Sequence, residues 1–161
     1  MVYSEHMLEH MPPQAGAHFL RECWRVLAPG GVLRVVTPDV AKYACALVHG
    51  DADGFLKRHA ARFPPMEAFG SPPSATTMLN NIVRNYGHEW IYSPDEFRRA
   101  VRAAGLPAGS ACVSDRAGRG LPVWAATALR RANAPRKAAH KCWLDQEVRA
   151  DESMYVVLMK S

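Results

Sequence analysis

The sequence has no long apolar run. Nowhere do about 18 hydrophobic residues follow one another, so no membrane-spanning helix is encoded, and the first residues are not a charged region followed by an apolar stretch. Cysteine is sparse. Cys23, Cys45, Cys112 and Cys142 show no Cys-x-x-Cys spacing, which excludes a zinc knuckle or a disulfide framework, and Cys23 and Cys112 sit in apolar patterns that read as core. These absences lead to the expectation of a soluble, cytoplasmic protein. Acidic residues are missing between Asp115 and Asp145, where Arg116, Arg119, Arg130, Arg131, Arg136, Lys137 and Lys141 concentrate the net charge of +5. Such a segment has the charge to meet a phosphate, but aromatic residues do not alternate with the basic ones as base stacking requires, so a solvated connection is expected and not a nucleic-acid surface. At 161 residues and 48% hydrophobic, the chain has the means to bury one core.

What is present is concentrated in Phe19 to Asp39, FLRECWRVLAPGGVLRVVTPD. Phe19, Leu20, Cys23, Trp24, Val26 and Leu27 recur near the 3.6 period of a helix packed on a sheet. Pro29, Gly30 and Gly31 stop it, since glycine enters the left-handed conformation without a Cβ clash. Val32 to Thr37 then reads as a strand covered on both faces, apolar throughout except for Arg34.

With the preceding VYSEHMLEHM, this stretch resembles the second half of class I S-adenosylmethionine-dependent methyltransferases of the bacterial type 11 group, in which a strand ending in a His-x-Leu-Glu-His-like turn precedes a helix ending R-V-L-x-P-G-G. The resemblance continues through GHEWIY (Gly87 to Tyr92), a helix ending at Ala104 to Leu106, and ESMYVVLMK (Glu152 to Lys160). It implies a partial Rossmann-like α/β sheet of about four strands with flanking helices, in a single truncated domain spanning 1–161. The family's glycine-rich cofactor loop has no counterpart here. Gly118 and Gly120 in RAGRGLP follow no long apolar strand and read as a surface turn. The first three strand-helix units, and the acidic residue that would hold the cofactor ribose, are expected to be missing.

The remaining elements follow from periodicity and punctuation. Helices are expected at about Val40 to Val48, with Tyr43, Leu47 and Val48 on one side, at Asp53 to Arg62, and at Ala75 to Tyr86. Prolines 64, 65, 72 and 73 interrupt them. This helical insertion, about 40–92, leaves the carboxyl end of the buried strand and is placed to roof a ligand crevice. Ser93-Pro94-Asp95-Glu96 is a helix start with an N-cap hydroxyl, a proline at the first position and a glutamate three residues after the cap. That helix should run to Ala104 with Phe97, Ala100, Val101 and Ala104 inward, followed by a short strand around Ala111 and Val113. Met154 to Met159 should lie inside the sheet, leaving Val2 to His6 as an edge that pairs with a second copy in a homodimer or is shielded by the insertion.

The resemblance places Ser4, Glu5 and His6 beside the cofactor, S-adenosylmethionine, and puts Trp90 and Tyr92 near a small-molecule or glycan acceptor. His6 and His88 are the candidate catalytic bases, because imidazole titrates near neutral pH and methyl transfer to a hydroxyl releases a proton. His10 has the simpler role of capping backbone groups after the strand, and Trp90 and Tyr92 that of packing. A non-catalytic remnant or dimerising domain is the alternative. A lesser one is a zinc hydrolase, since His6-x-x-Glu9-His10 spells the inverted zinc-protease order. That motif needs a helix of several turns, and Pro12 and Pro13 follow it at once. No metal is expected.

Overall fold

In the structure, a computed structural model, residues 1–51, 54–63, 74–114 and 153–160 are described. Strands β1 (Val2–Glu5), β2 (Val32–Pro38), β3 (Ala111–Ser114) and β4 (Ser153–Met159) form one sheet in the order β1-β2-β4-β3. β1 runs parallel to β2, and β4 is antiparallel to both β2 and β3. The four strands, the inner place of β4 and the edge place of β1 agree with the sequence pattern. β2 is buried along its whole length, which is why its apolar residues do not alternate with polar ones. Arg34, its exception, is 2% exposed, and its guanidinium lies 5.2 Å from the centre of the Tyr155 ring.

Helix α1 (Pro13–Val26) covers one face of the sheet with Gly16, Leu20 and Cys23 inward. It begins six residues before the expected Phe19. Pro13 is not a breaker here but the first helical residue, where its missing N–H is no loss. Val26 is exposed, and the inward stripe ends at Leu27. Gly30, at φ 74°, then turns the chain into β2. The Lys160 ammonium donates to the carbonyls of Trp24, Arg25 and Leu27 at 3.0, 3.2 and 2.8 Å, closing the helix end with a cation where the dipole favours one. Alongside α1, helix α5 (Pro94–Ala103) adds Phe97 and Val101 to a core shared with Leu20, Leu33, Val35, Val156 and Leu158.

Helices α2 (Val40–His49), α3 (Phe55–Arg62) and α4 (Ala75–Arg84) build a second core from Tyr43, Ala46, Phe55, Leu56, Met78 and Ile82. The inward face of α2 is Tyr43 and Ala46. Leu47 and Val48, expected beside Tyr43, are exposed. α4 stops at Arg84 and does not reach Tyr86, because Asn85 is extended and Tyr86 and Gly87 take φ of 62° and 76°. The basic stretch 116–141, with RAGRGLP, lies outside the described residues.

Candidate functional site

The site grows from the carboxyl end of β1. His6 donates its backbone N–H to Val36 O at 2.9 Å, which ends the parallel ladder, and at φ 46° it turns the chain away from the sheet. A single 3₁₀ turn, Leu8–His10, follows before α1 begins. His6 and His10 therefore do not share an α-helix, and the inverted zinc-protease geometry is not formed.

Glu9 is fully buried in this turn. Its carbonyl accepts the backbone N–H groups of Glu89 and Trp90 at 2.8 and 3.1 Å, so the turn is fastened to the loop after α4. Its Oε2 accepts from Thr37 Oγ1 at 3.0 Å, and its Oε1 stands 3.1 Å from His6 Nδ1. Burial works to raise the Glu9 pKa, but the contacts with His6 and Thr37 outweigh it and hold the carboxyl below its ordinary value. The other ring nitrogen of His6, Nε2, lies 2.8 Å from Ser153 Oγ. Ser153, His6, Glu9 and Thr37 thus form one polar chain across the end of the sheet where Pro38 pairs with Ser153.

Two further imidazoles stand beside it. His10 Nδ1 is 3.1 Å from Gly87 O and His88 Nδ1 is 2.6 Å from Ile82 O. A carbonyl only accepts, so each Nδ1 carries a proton, and in the neutral ring this leaves the lone pair on Nε2. The rings meet edge to face with centroids 4.9 Å apart. Burial lowers the His88 pKa, against the smaller opposing effect of the Ile82 carbonyl, and favours neutral imidazole. His6, His10 and His88, with His59, Phe63, Ile82 and Tyr86 from α3, α4 and the segments that follow them, line a cavity of about 220 Å³. Side chains of α3 and α4 therefore stand across the cavity from the His6 to His10 turn. His6 and Tyr86 are the two non-glycine residues with positive φ among the described residues, and both face this cavity.

Of the residues expected from the sequence, His6 and His88 come together here. Ser4 and Glu5 do not line the cavity: Ser4 Oγ is buried at the end of β1 with no hydrogen-bond partner, and Glu5 accepts from the Tyr3 hydroxyl at 2.8 Å. Trp90 is exposed outside the cavity, and Tyr92 is core, 1% exposed and packed on Phe97. Sequence reasoning did not find Thr37, Ser153 or His59. Thr37 and Ser153 sit in apolar strands and His59 in a basic helix, with no local motif to mark them.

Residues 1–35 match the profile of the family described as "Methyltransferase domain". Over this first part of the chain the sequence is similar to that methyltransferase family. No curated protein and no solved structure matches it. The methyltransferase match takes in β1, the His6 to His10 turn, α1 and the first four residues of β2, and with them His6 and Glu9 of the polar chain. The α/β sheet with helices against it fits a partial methyltransferase fold of the Rossmann-like kind.

Set against S-adenosylmethionine, the cofactor of this methyltransferase family, the described residues fit one side only. The unpartnered Ser4 hydroxyl is a polar atom that a cofactor's amino-acid end would satisfy. No glycine-rich strand-to-helix turn stands among the described residues to cradle the remainder.

Proposed function

We propose that this chain carries the acceptor side of an S-adenosylmethionine-dependent methyltransferase site, and that its imidazole-lined cavity receives a hydroxyl-bearing small molecule or glycan. The observation that carries this reading is the position of the cavity: it opens on the His6 to His10 turn, within the stretch that matches the methyltransferase family. When bound, the cofactor supplies an electrophilic methyl group. Methyl transfer depends mainly on holding the acceptor oxygen in line and excluding water, which a roofed cavity of this size does for a small group.

His6 takes the proton. A hydroxyl acceptor loses its proton as the new C–O bond forms, and the His6 imidazole is held between Ser153 Oγ and Glu9 Oε1. The buried carboxylate stabilises the imidazolium that results, and the Ser153 hydroxyl provides a path to Nε2. Ser4 and Glu5 are the chain's candidates for the cofactor contact, with His88 beside the acceptor.

A second reading is favoured by one observation. Ser4 and Glu5 lie outside the cavity, as they would if the chain kept the helix-sheet core for assembly and not for chemistry. NMR titration with S-adenosylmethionine and S-adenosylhomocysteine separates the two. Saturable micromolar binding with shifts at Ser4 to His10 supports the transferase. No binding at millimolar ligand, by the full chain, leaves the non-catalytic core.

A further inference from the structure

Beyond methyl transfer, the three residues Glu9, His10 and His88 place one carboxylate oxygen and two imidazole nitrogens within 4.8 Å of one another. We infer that they form a binding site for a divalent transition-metal ion of the zinc type, with a coordination position open to the cavity.

The state of the ligands supports this. Metal-bound histidine characteristically donates its other ring N–H to a carbonyl or carboxylate, which fixes the tautomer and aims the lone pair. His10 and His88 are both set this way, by Gly87 O and Ile82 O. Glu9 is oriented in turn by Thr37 Oγ1 on one oxygen and by His6 Nδ1, 3.1 Å away, on the other, and a carboxylate oxygen has a second lone pair beyond the one facing His6. The two halves of the site, 78 residues apart in sequence, are joined by the Glu89 and Trp90 amides on the Glu9 carbonyl.

Charge and donor type select the ion. Two imidazoles and one carboxylate suit zinc and its neighbours, whereas magnesium and calcium require oxygen ligands throughout. Ligand atoms each about 2.1 Å from a tetrahedral ion stand about 3.4 Å apart, so closing the set takes movement of about an ångström, within reach of a side-chain rotation of the exposed His10. Three protein ligands leave the fourth position for water or for an oxygen or nitrogen of a bound molecule. His6 is outside the set because both its ring nitrogens already have neighbours, so the site differs from the helical His-x-x-Glu-His arrangement.

The test uses the full chain and zinc alone, competed against a chromophoric chelator, with cobalt substituted as a spectroscopic reporter. One equivalent should bind, His10→Gln and His88→Gln should each weaken it by about tenfold or more, and His49→Gln should leave it unchanged. Cobalt should give the intense visible bands of a four-coordinate nitrogen and oxygen site without a thiolate charge-transfer band. Failure to hold zinc, equal affinity in His10→Gln, or a thiolate band would each overturn the assignment. If His88→Gln does not fold, the exposed His10 decides. None of these readouts needs the cofactor, so the metal site stands or falls separately from methyl transfer.

Discussion

Gly16 lies inside α1, and a Cβ built on it would meet the Tyr92 hydroxyl at 2.8 Å and Leu8 Cδ1 at 3.4 Å. Alanine would ordinarily stabilise a helix interior by about 0.5–1 kcal/mol over glycine, but here the contact costs about 1–3 kcal/mol, so Gly16→Ala should destabilise the fold in urea unfolding. The Tyr92 hydroxyl is buried with no hydrogen-bond partner, and burial pushes its pKa up to about 12. Tyr92→Phe should therefore be neutral or stabilise by up to about 1 kcal/mol, and Gly16→Ala should become tolerable in that background. Equal cost in both backgrounds would show that the hydroxyl is not the obstacle. Tyr92 reads as an aromatic of a family motif in the sequence, and its place in the core against Gly16 and Phe97 is seen only in the packing. Glu9 gives the pH prediction. Its folded pKa lies below the ordinary 4.5, so the stability it contributes is fully present above about pH 4.5 and is lost as pH falls through the lowered value. Unfolding measured from pH 7 to 3 should show that loss in the parent chain and a flatter profile in Glu9→Gln.

At the scale of elements, α5 has the strongest local signal, and the structure shows its parts. Ser93 Oγ accepts the Glu96 N–H at 3.2 Å and Pro94 takes the first helical position. Ser93→Ala should cost about 1 kcal/mol in thermal or urea unfolding, and Ser93→Asp should restore most of it. An unchanged midpoint in Ser93→Ala would mean that packing of Phe97 and Val101 alone holds the helix. Elements with such punctuation were legible: β2 and β4 from their unbroken apolar runs, α5 from its cap. The start of α1 was not, because Pro12 and Pro13 read equally as a break and as a first turn. Which face of α2 turns inward was also hidden, since Leu47 and Val48 are as apolar as the Tyr43 and Ala46 that are buried. The site was half legible. His6, Glu9 and His10 stand in one motif, whereas nothing local ties them to His88, which reaches them through the left-handed turn at Tyr86 and Gly87.

For the whole molecule, the outer edge of β1 has no strand beside it among the described residues. Such an edge recruits a partner, and we expect the chain to form a homodimer through Val2 to Glu5, seen as a concentration-dependent sedimentation coefficient. Tyr3→Pro should abolish that dependence, and a strictly monomeric state with rapidly exchanging β1 amides would refute the pairing. The place of β4 between β2 and β3 also has a meaning in time. During synthesis at roughly 5–20 residues per second, β2 waits for about 120 residues, or about 6–24 s, before its second neighbour exists. Lys160, whose ammonium closes α1, arrives with that neighbour. Until β4 is made, the nascent chain carries an apolar strand with one side unpaired and a helix whose end is not yet closed.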